Sequence, residues 1–254
     1  MAGALDGTVA LVTGASSGIG EATAVSLADN GAAVAIAARR TERLDAIADR
    51  IRDRGGTALS LGADVSDREQ ARAAVERTAS ELGRLDILVN NAGLMLLGPI
   101  VDADFENWRR MLDVNVEGVL NCANAAIPHL LRAAGEGPRG VADMVNVSSV
   151  AGRVVRRGSG IYNLTKHGVG AFSESLRQEL AERQVRVSLV EPGATDTELQ
   201  LHNSPEIQKA AAERFAGKQI LDADDIADAI LYIVSRPAYV AINEILIRPT
   251  AQDN

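Results

Sequence analysis

The sequence predicts an α/β protein in which parallel strands are joined by crossover helices. Two observations carry that prediction. Short apolar, β-rich runs alternate with longer amphipathic stretches from end to end, and the first run passes straight into a glycine-rich turn that opens a helical pattern. The 254 residues, 46% hydrophobic, suffice for a full core. No linker, repeat or low-complexity tract divides them, so residues 1–254 are expected to form a single domain.

Seven runs read as strands: TVALVT from Thr8, AAVAIAA from Ala32, TALSLGADV from Thr57, LDILVNN from Leu85, ADMVNVSS from Ala142, VRVSLVEPG from Val185 and INEILIRP from Ile242. Between them, residues 42–54, 68–82 and 223–234 repeat their apolar positions at three and four, as crossover helices do. Residues 161–183 place Leu164, Phe172, Leu176 and Leu180 at helical repeats, with Tyr162 and Lys166 expected on a different side of the wheel. Trp108, Met111 and Leu112 read as helix packing. The glycine-rich tract 133–143 reads as an exposed connection without a structural task. Residues 194–219 follow the carboxyl end of a strand, where open α/β sheets bind ligands, and are long enough for a substrate lid.

A formal charge of −8 excludes nucleic-acid and anionic-membrane partners as expectations, because phosphate neutralisation needs clustered Lys and Arg in excess. The one cysteine, Cys122, has no internal disulfide partner and reads as core filling. The chain shows neither a signal-like start nor an apolar run of membrane-spanning length, so a cytoplasmic location is expected.

Chemistry begins at TGASSGIG, residues 13–20. Gly14 permits a tight turn, Gly18 a close backbone approach to a pyrophosphate, and Gly20 close packing of helix on strand. The turn residues Ser16, Ser17 and Ile19 bring backbone amides and the helix dipole to an anion. A strand before this turn and a helix after it make the motif that of a dinucleotide site in a doubly wound Rossmann sheet. At the end of the second strand, where a carboxylate would hold the ribose of NAD, stand Arg39 and Arg40. Guanidinium groups suit a 2′-phosphate, so the expected cofactor is NADP(H). Asp64 and Val65, after the third strand, are expected to edge the adenine.

The stretch GSGIYNLTKHG, residues 158–168, sets Lys166 one helical turn beyond Tyr162. An ammonium beside a phenol favours the phenolate and would bring a pKa near ~10 toward neutrality. The pair is weak evidence alone, since such spacings decorate many solvated helices.

With its neighbours the pair becomes specific. TGASSGIG, ADV at 63–65, NNAG at 90–93, DVN ending at Asn115, VSS ending at Ser149, Tyr162 with Lys166, and PG at 192–193 occur in one order, and over essentially its whole length the chain resembles the short-chain dehydrogenase/reductase family. The resemblance implies a seven-stranded doubly wound sheet, a homotetramer or dimer, and reversible hydride transfer between a nicotinamide and an alcohol or carbonyl. It implies Asn115, Ser149, Tyr162 and Lys166 as the catalytic set: tyrosine as proton donor, serine on the carbonyl oxygen, lysine on the ribose and the phenol, asparagine holding a water that resupplies protons. It further implies that Asn91, Ala92 and Gly93 pass beneath the adenosine ribose, Asn91 making the main contact, and that Pro192, Gly193, Thr195 and Thr197 line the nicotinamide end.

The ending INEILIRPTAQDN resembles the branch containing NADP-dependent 3-hydroxy acid dehydrogenases and clavulanate dehydrogenase, and reductases of aromatic polyketide tailoring are similar as well. The expected activity is an NADPH-dependent carbonyl reductase. The rivals are a non-catalytic NADP(H)-sensing protein and a 3-hydroxy acid dehydrogenase; an intact Ser149, Tyr162 and Lys166 speak against the first. Met95, Leu96 and Leu97 are candidates for an apolar substrate wall or for core, and Arg153, Arg156 and Arg157 for contact with an anionic or polyhydroxylated substrate. His129 and His167 read as surface residues, and His202 lies in the expected lid.

Overall fold

The strand order explains where a ligand fits. The computed structural model describes residues 3–101 and 103–253. Strands β1 (Val9–Thr13), β2 (Ala33–Ala38), β3 (Ala58–Gly62), β4 (Ile87–Asn90), β5 (Ala142–Val147), β6 (Val185–Pro192) and β7 (Glu244–Ile247) are all parallel and lie in the order β3-β2-β1-β4-β5-β6-β7. The chain winds outward from β1 to β3, then returns to place β4 on the other side of β1. The loops leaving β1 and β4 therefore diverge, and a crevice opens above their carboxyl ends. All seven expected strands form, trimmed at their ends.

Helices α1 (Gly18–Asp29), α2 (Thr41–Asp53) and α8 (Ala223–Val234) cover one face of the sheet; α3 (Arg68–Glu81), α5 (Gly118–Glu136) and α6 (Gly160–Leu180) cover the other. Alternation along β1 feeds both cores. Val12 belongs to the core that holds Ile36, Leu27 and Ile230, whereas Leu11 belongs to the one that holds Leu88, Leu130 and Leu176. Burial on both faces is why the central strands read as continuous apolar runs, each large side chain contributing roughly 1.5–3 kcal/mol. Cys122 belongs to the second core, where burial pushes its thiol up to about 12.

Three expectations change. In α6, Leu164 is 56% exposed, while Tyr162, Lys166, Val169, Ser173, Leu176 and Leu180 form one buried seam. Their spacing of four and three residues keeps them in register, so the polar pair shares the helix's inward face with the apolar residues. In the tract 133–143, α5 continues to Glu136 and Asp143 lies within β5. There Arg139 reaches the buried Asp143 carboxylate at 2.8 Å and the Val234 carbonyl, and Arg186 holds the same carboxylate from β6. The connection is thus tied to the core. Near α4 (Phe105–Leu112), Met111 is buried and Trp108 packs beside it, but Leu112 is 37% exposed. Among the described residues no helix is long and apolar enough to cross a membrane, and no cluster of metal-ligating side chains occurs.

Candidate active site

The turn between β1 and α1 is built by steric necessity. Gly14 has φ +64°, and a Cβ there would lie 2.6 Å from the Ala92 Cα. Gly18 has φ +56°, also in the region that L side chains rarely adopt. At Gly20 a Cβ would meet the Asn91 side-chain amide and, at 2.5 Å, the Gly14 carbonyl oxygen, so the start of α1 presses on the turn itself rather than on β1. Asn91 departs from expectation: its side-chain amide donates to the Thr13 and Gly14 carbonyls at 3.0 and 3.2 Å. Its amide braces the turn from β4 and is engaged before any ribose arrives.

Above this turn lies a cavity of about 670 Å3. Gly14, Ser16, Ser17, Gly18, Ile19, Arg39, Arg40, Asp64, Val65, Asn91, Ala92, Gly93, Ser149, Tyr162, Lys166, Pro192, Gly193, Thr195 and Thr197 all line it, so the structure gathers these sequence-predicted positions around one space. Gly20 and Asn115 stand behind the wall. At the β2 end, Arg40 donates through Nε to Ser16 Oγ (3.0 Å) and through Nη2 to Ser17 Oγ (2.7 Å), while Arg39 is more exposed and 3.8 Å from Asp64.

At the other end the catalytic candidates converge. Ser149 hydrogen-bonds the Tyr162 phenol and accepts from the Ala151 amide, whereas Ser148 turns to donate to the Lys166 carbonyl, a brace for α6. Lys166 Nζ donates to the Val147 carbonyl at 2.9 Å and lies 5.8 Å from the Tyr162 ring centroid. Asn115 sits in a π-helical segment, Asp113–Glu117, between α4 and α5. It accepts from the Leu94 amide and donates to the Leu94 carbonyl, with Thr165 Oγ1 also in reach at 3.2 Å. A Cβ built on Gly93 would be 3.7 Å from Asn115 Oδ1 and 3.8 Å from Lys166 Nζ, so the two polar groups flank that glycine. Such single-turn π segments recur at functional sites because they re-aim one side chain out of the helical register.

The electrostatics differ from the sequence expectation. Burial pushes the Tyr162 phenol up to about 12, against the opposing hydrogen bond from Ser149. Burial also brings the Lys166 ammonium down to about 8. Loss of water is the leading cause at both groups, and the ammonium donates to the Val147 backbone carbonyl.

Residues 194–219 form a 3-10 turn, Glu198–His202, and α7 (Pro205–Arg214), and Ile207, Ala211, Arg214 and Phe215 from this segment line the cavity. Asn203 Oδ1 accepts from the Leu97 amide at 2.7 Å, joining the segment to the loop after β4. From that loop Met95 and Leu97 line the cavity while Leu96 packs behind them. Of the three loop arginines, Arg156 and Arg157 line the cavity, and Arg153 turns away to pair with Glu191 and Glu244. His202 reaches the cavity, where burial first and then nearby arginines lower its pKa. His129 instead bonds Glu76, and His167 the Asn163 carbonyl. The sequence reading overlooked Asn163, whose amide donates to the Ala151 and Val154 carbonyls and whose oxygen accepts from Ser159, clamping the loop between Ser149 and Tyr162. A polar residue beside Tyr162 on the first turn of α6 was its only signal. Nothing in the sequence marked Asn203.

The architecture has counterparts among known proteins. A family model described as short chain dehydrogenase matches residues 8–208. The chain belongs to the short-chain dehydrogenase/reductase family. Relatives of this oxidoreductase family include an uncharacterized oxidoreductase of Staphylococcus saprophyticus, 36% identical over 246 residues that cover 96% of this chain and 98% of the relative. Glycine betaine reductase ATRR of Emericella nidulans is 41% identical over 248 residues, but the chain spans only 19% of that much longer protein. Among solved short-chain dehydrogenase/reductase structures, the closed form of serine dehydrogenase complexed with NADP+ superposes with a TM-score of 0.88 at 30% identity, covering 97% of each chain.

Proposed function

We propose that the protein is an NADP(H)-dependent reductase that converts a ketone or aldehyde to the alcohol, reversibly. The observation that carries this reading is a buried phenol, hydrogen-bonded by Ser149 and one turn from Lys166, at one end of a cavity whose other end is a glycine-built anion turn beside Arg40. The residues present fit the nucleotide. Gly14 and Gly18 keep side chains out of the pyrophosphate's path, Arg39 and Arg40 offer guanidinium groups to a 2′-phosphate, and Val65 gives the adenine an apolar edge. A solved neighbour holding NADP+ supports the same choice. When bound, the nicotinamide supplies or accepts the hydride.

The chain's own residues would handle the proton. A phenol with a pKa of about 12 is fully protonated at neutral pH, which suits a donor to a carbonyl oxygen that is gaining negative charge. Ser149 would hydrogen-bond that oxygen, and Asn115 would hold a water joining Lys166 to the proton supply. As Tyr162 loses its proton, the cost of a buried phenolate is offset by the Lys166 ammonium. Residues 194–219 would act as the lid that excludes water from this step.

A second reading, an acidic substrate as in 3-hydroxy acid oxidation, is favoured by Arg156 and Arg214 facing the cavity. Burial first, and then the proximity of Arg214, holds the Arg156 guanidinium below its usual range, against the opposing charge of Asp253. The deciding experiment follows NADPH oxidation at 340 nm with neutral aldehydes, aromatic ketones and 3-oxo acids, and NADP+ reduction with 3-hydroxy acids. Turnover with NADPH at a higher kcat/KM than with NADH is expected; no turnover by the purified protein with any substrate, while NADPH still binds, would favour the cofactor-sensing rival.

A further inference from the structure

The adenosine end of the cavity already contains an anion supplied by the chain. Glu198, the first residue of the 3-10 turn, divides its carboxylate between two arginines: Oε2 accepts from Arg40 Nη1 and Oε1 from Arg43 Nη1, both at 2.7 Å. Arg43 lies in the first turn of α2, three residues beyond Arg40, which precedes the helix. The other two nitrogens of Arg40 are engaged by Ser16 and Ser17 of the phosphate turn, so each nitrogen of its guanidinium already donates within the chain. The neighbouring Thr197 rests its methyl group over Gly18, where a Cβ would approach it to 3.1 Å. Glu198 and Thr197 thus hold residues 198–214 down on the anion turn from two sides.

We infer that Glu198 occupies the seat of the cofactor's 2′-phosphate, and that expulsion of its carboxylate from Arg40 and Arg43 makes this residue a determinant of nucleotide choice. The inference rests on the NADP(H) reading above. A phosphate near neutral pH carries ≈ −1.5 to −2 charge and three acceptor oxygens, so it can engage both guanidinium forks more strongly than one carboxylate does. The ribose hydroxyl of NAD(H) has no such claim and leaves the Glu198 contacts in place. Protonation offers no alternative release, since hydrogen bonds from Arg43 and then Arg40 hold the Glu198 carboxyl down at about 2. Only a competing anion, or screening by salt, loosens the contact. Because Glu198 begins the segment that continues into α7, its release would also free the cover over the substrate end.

The test uses adenosine 2′,5′-bisphosphate and 5′-AMP, probes that lack the nicotinamide. In the unaltered protein the bisphosphate is expected to bind more tightly than AMP, by calorimetry at low salt. In Glu198→Gln the affinity for the bisphosphate should rise about five- to tenfold while that for AMP changes less than about twofold. Hydrogen exchange of residues 198–214 in the unaltered protein should quicken with saturating bisphosphate and not with AMP. Failure of the unaltered protein to prefer the bisphosphate would overturn the NADP(H) reading itself. A clear preference combined with unchanged Glu198→Gln affinities and unchanged exchange would leave that reading standing and overturn the competition.

Discussion

The two ends of the cavity control charge by opposite means. At the Tyr162 end, both titratable groups are buried, their hydrogen-bond partners are a hydroxyl and a backbone carbonyl, and loss of water dominates: the phenol is pushed up to about 12 and the ammonium down to about 8. At the Arg40 end the side chains of Arg40, Arg43 and Glu198 are 45%, 50% and 39% exposed, and ion pairing dominates. The difference teaches that one end is set by folding and the other can be reset by a ligand. Changing a buried, desolvated pair requires moving the core, whereas an exposed ion pair contributes only about 0–1 kcal/mol and exchanges partners readily.

The sharpest way to break this comparison is at Tyr162. Tyr162→Phe removes only the hydroxyl, and carbonyl reduction should fall about 10³-fold, within the range that a positioned proton donor contributes. Thermal unfolding and NADPH binding should hold close to the unaltered protein. A variant retaining a tenth of the rate would show that the proton comes from elsewhere.

Lys166 separates function from stability. Its charged form is disfavoured by burial, so the folded chain binds the lysine proton less tightly than the unfolded chain does. Between the depressed value of about 8 and the ordinary 10.5, the unfolded state holds more protons, and stability contributed by this group rises with pH across that window. Below about 8 the buried charge is a standing cost. Lys166→Met should therefore lower turnover about 10²-fold while raising the melting temperature by a few degrees at pH 7, the lost hydrogen bond to Val147 offsetting part of the gain. In the unaltered protein the reductive kcat/KM should decline above about pH 8 as the ammonium that stabilises the phenolate is lost; Tyr162 stays protonated there and adds no break. A flat profile up to pH 10 would remove Lys166 from the proton step.

These same residues show what a sequence can and cannot disclose. The seven strands and the glycine turn were legible because short apolar runs and the φ demands at Gly14 and Gly18 are local properties, written within a few residues. The membership of the site was legible because its motifs recur in order along the chain. Two kinds of fact were hidden. Leu164 facing outward while Tyr162 and Lys166 face the core depends on which side of α6 meets the sheet, and Asn91 bracing Thr13 depends on β4 lying beside β1; both are consequences of tertiary placement. The pKa of a buried phenol is also not a matter of spacing, since desolvation by the surrounding fold outweighs the opposing hydrogen bond from Ser149. Glu198 pairing with Arg40 across 158 positions is of the same kind: neither residue announces the other.

The smallest expected effect tests whether the substrate end resembles the Tyr162 end or the Arg40 end. Arg156 comes from the loop that Asn163 clamps, and Arg214 from the last turn of α7, so one is tied to α6 and the other lies on the segment proposed as the lid. If both contact an acidic substrate, Arg156→Ala should raise KM for a 3-oxo acid about tenfold with little change in kcat, the signature of lost ground-state and transition-state binding together. Arg214→Ala should raise it less, about threefold, because, if the segment acts as the proposed lid, its cation must be ordered before it can contribute. Neither substitution should alter KM for a neutral aldehyde. An equal rise for the neutral substrate would mean that the arginines shape the cavity wall, and the acidic-substrate reading would then lose its support.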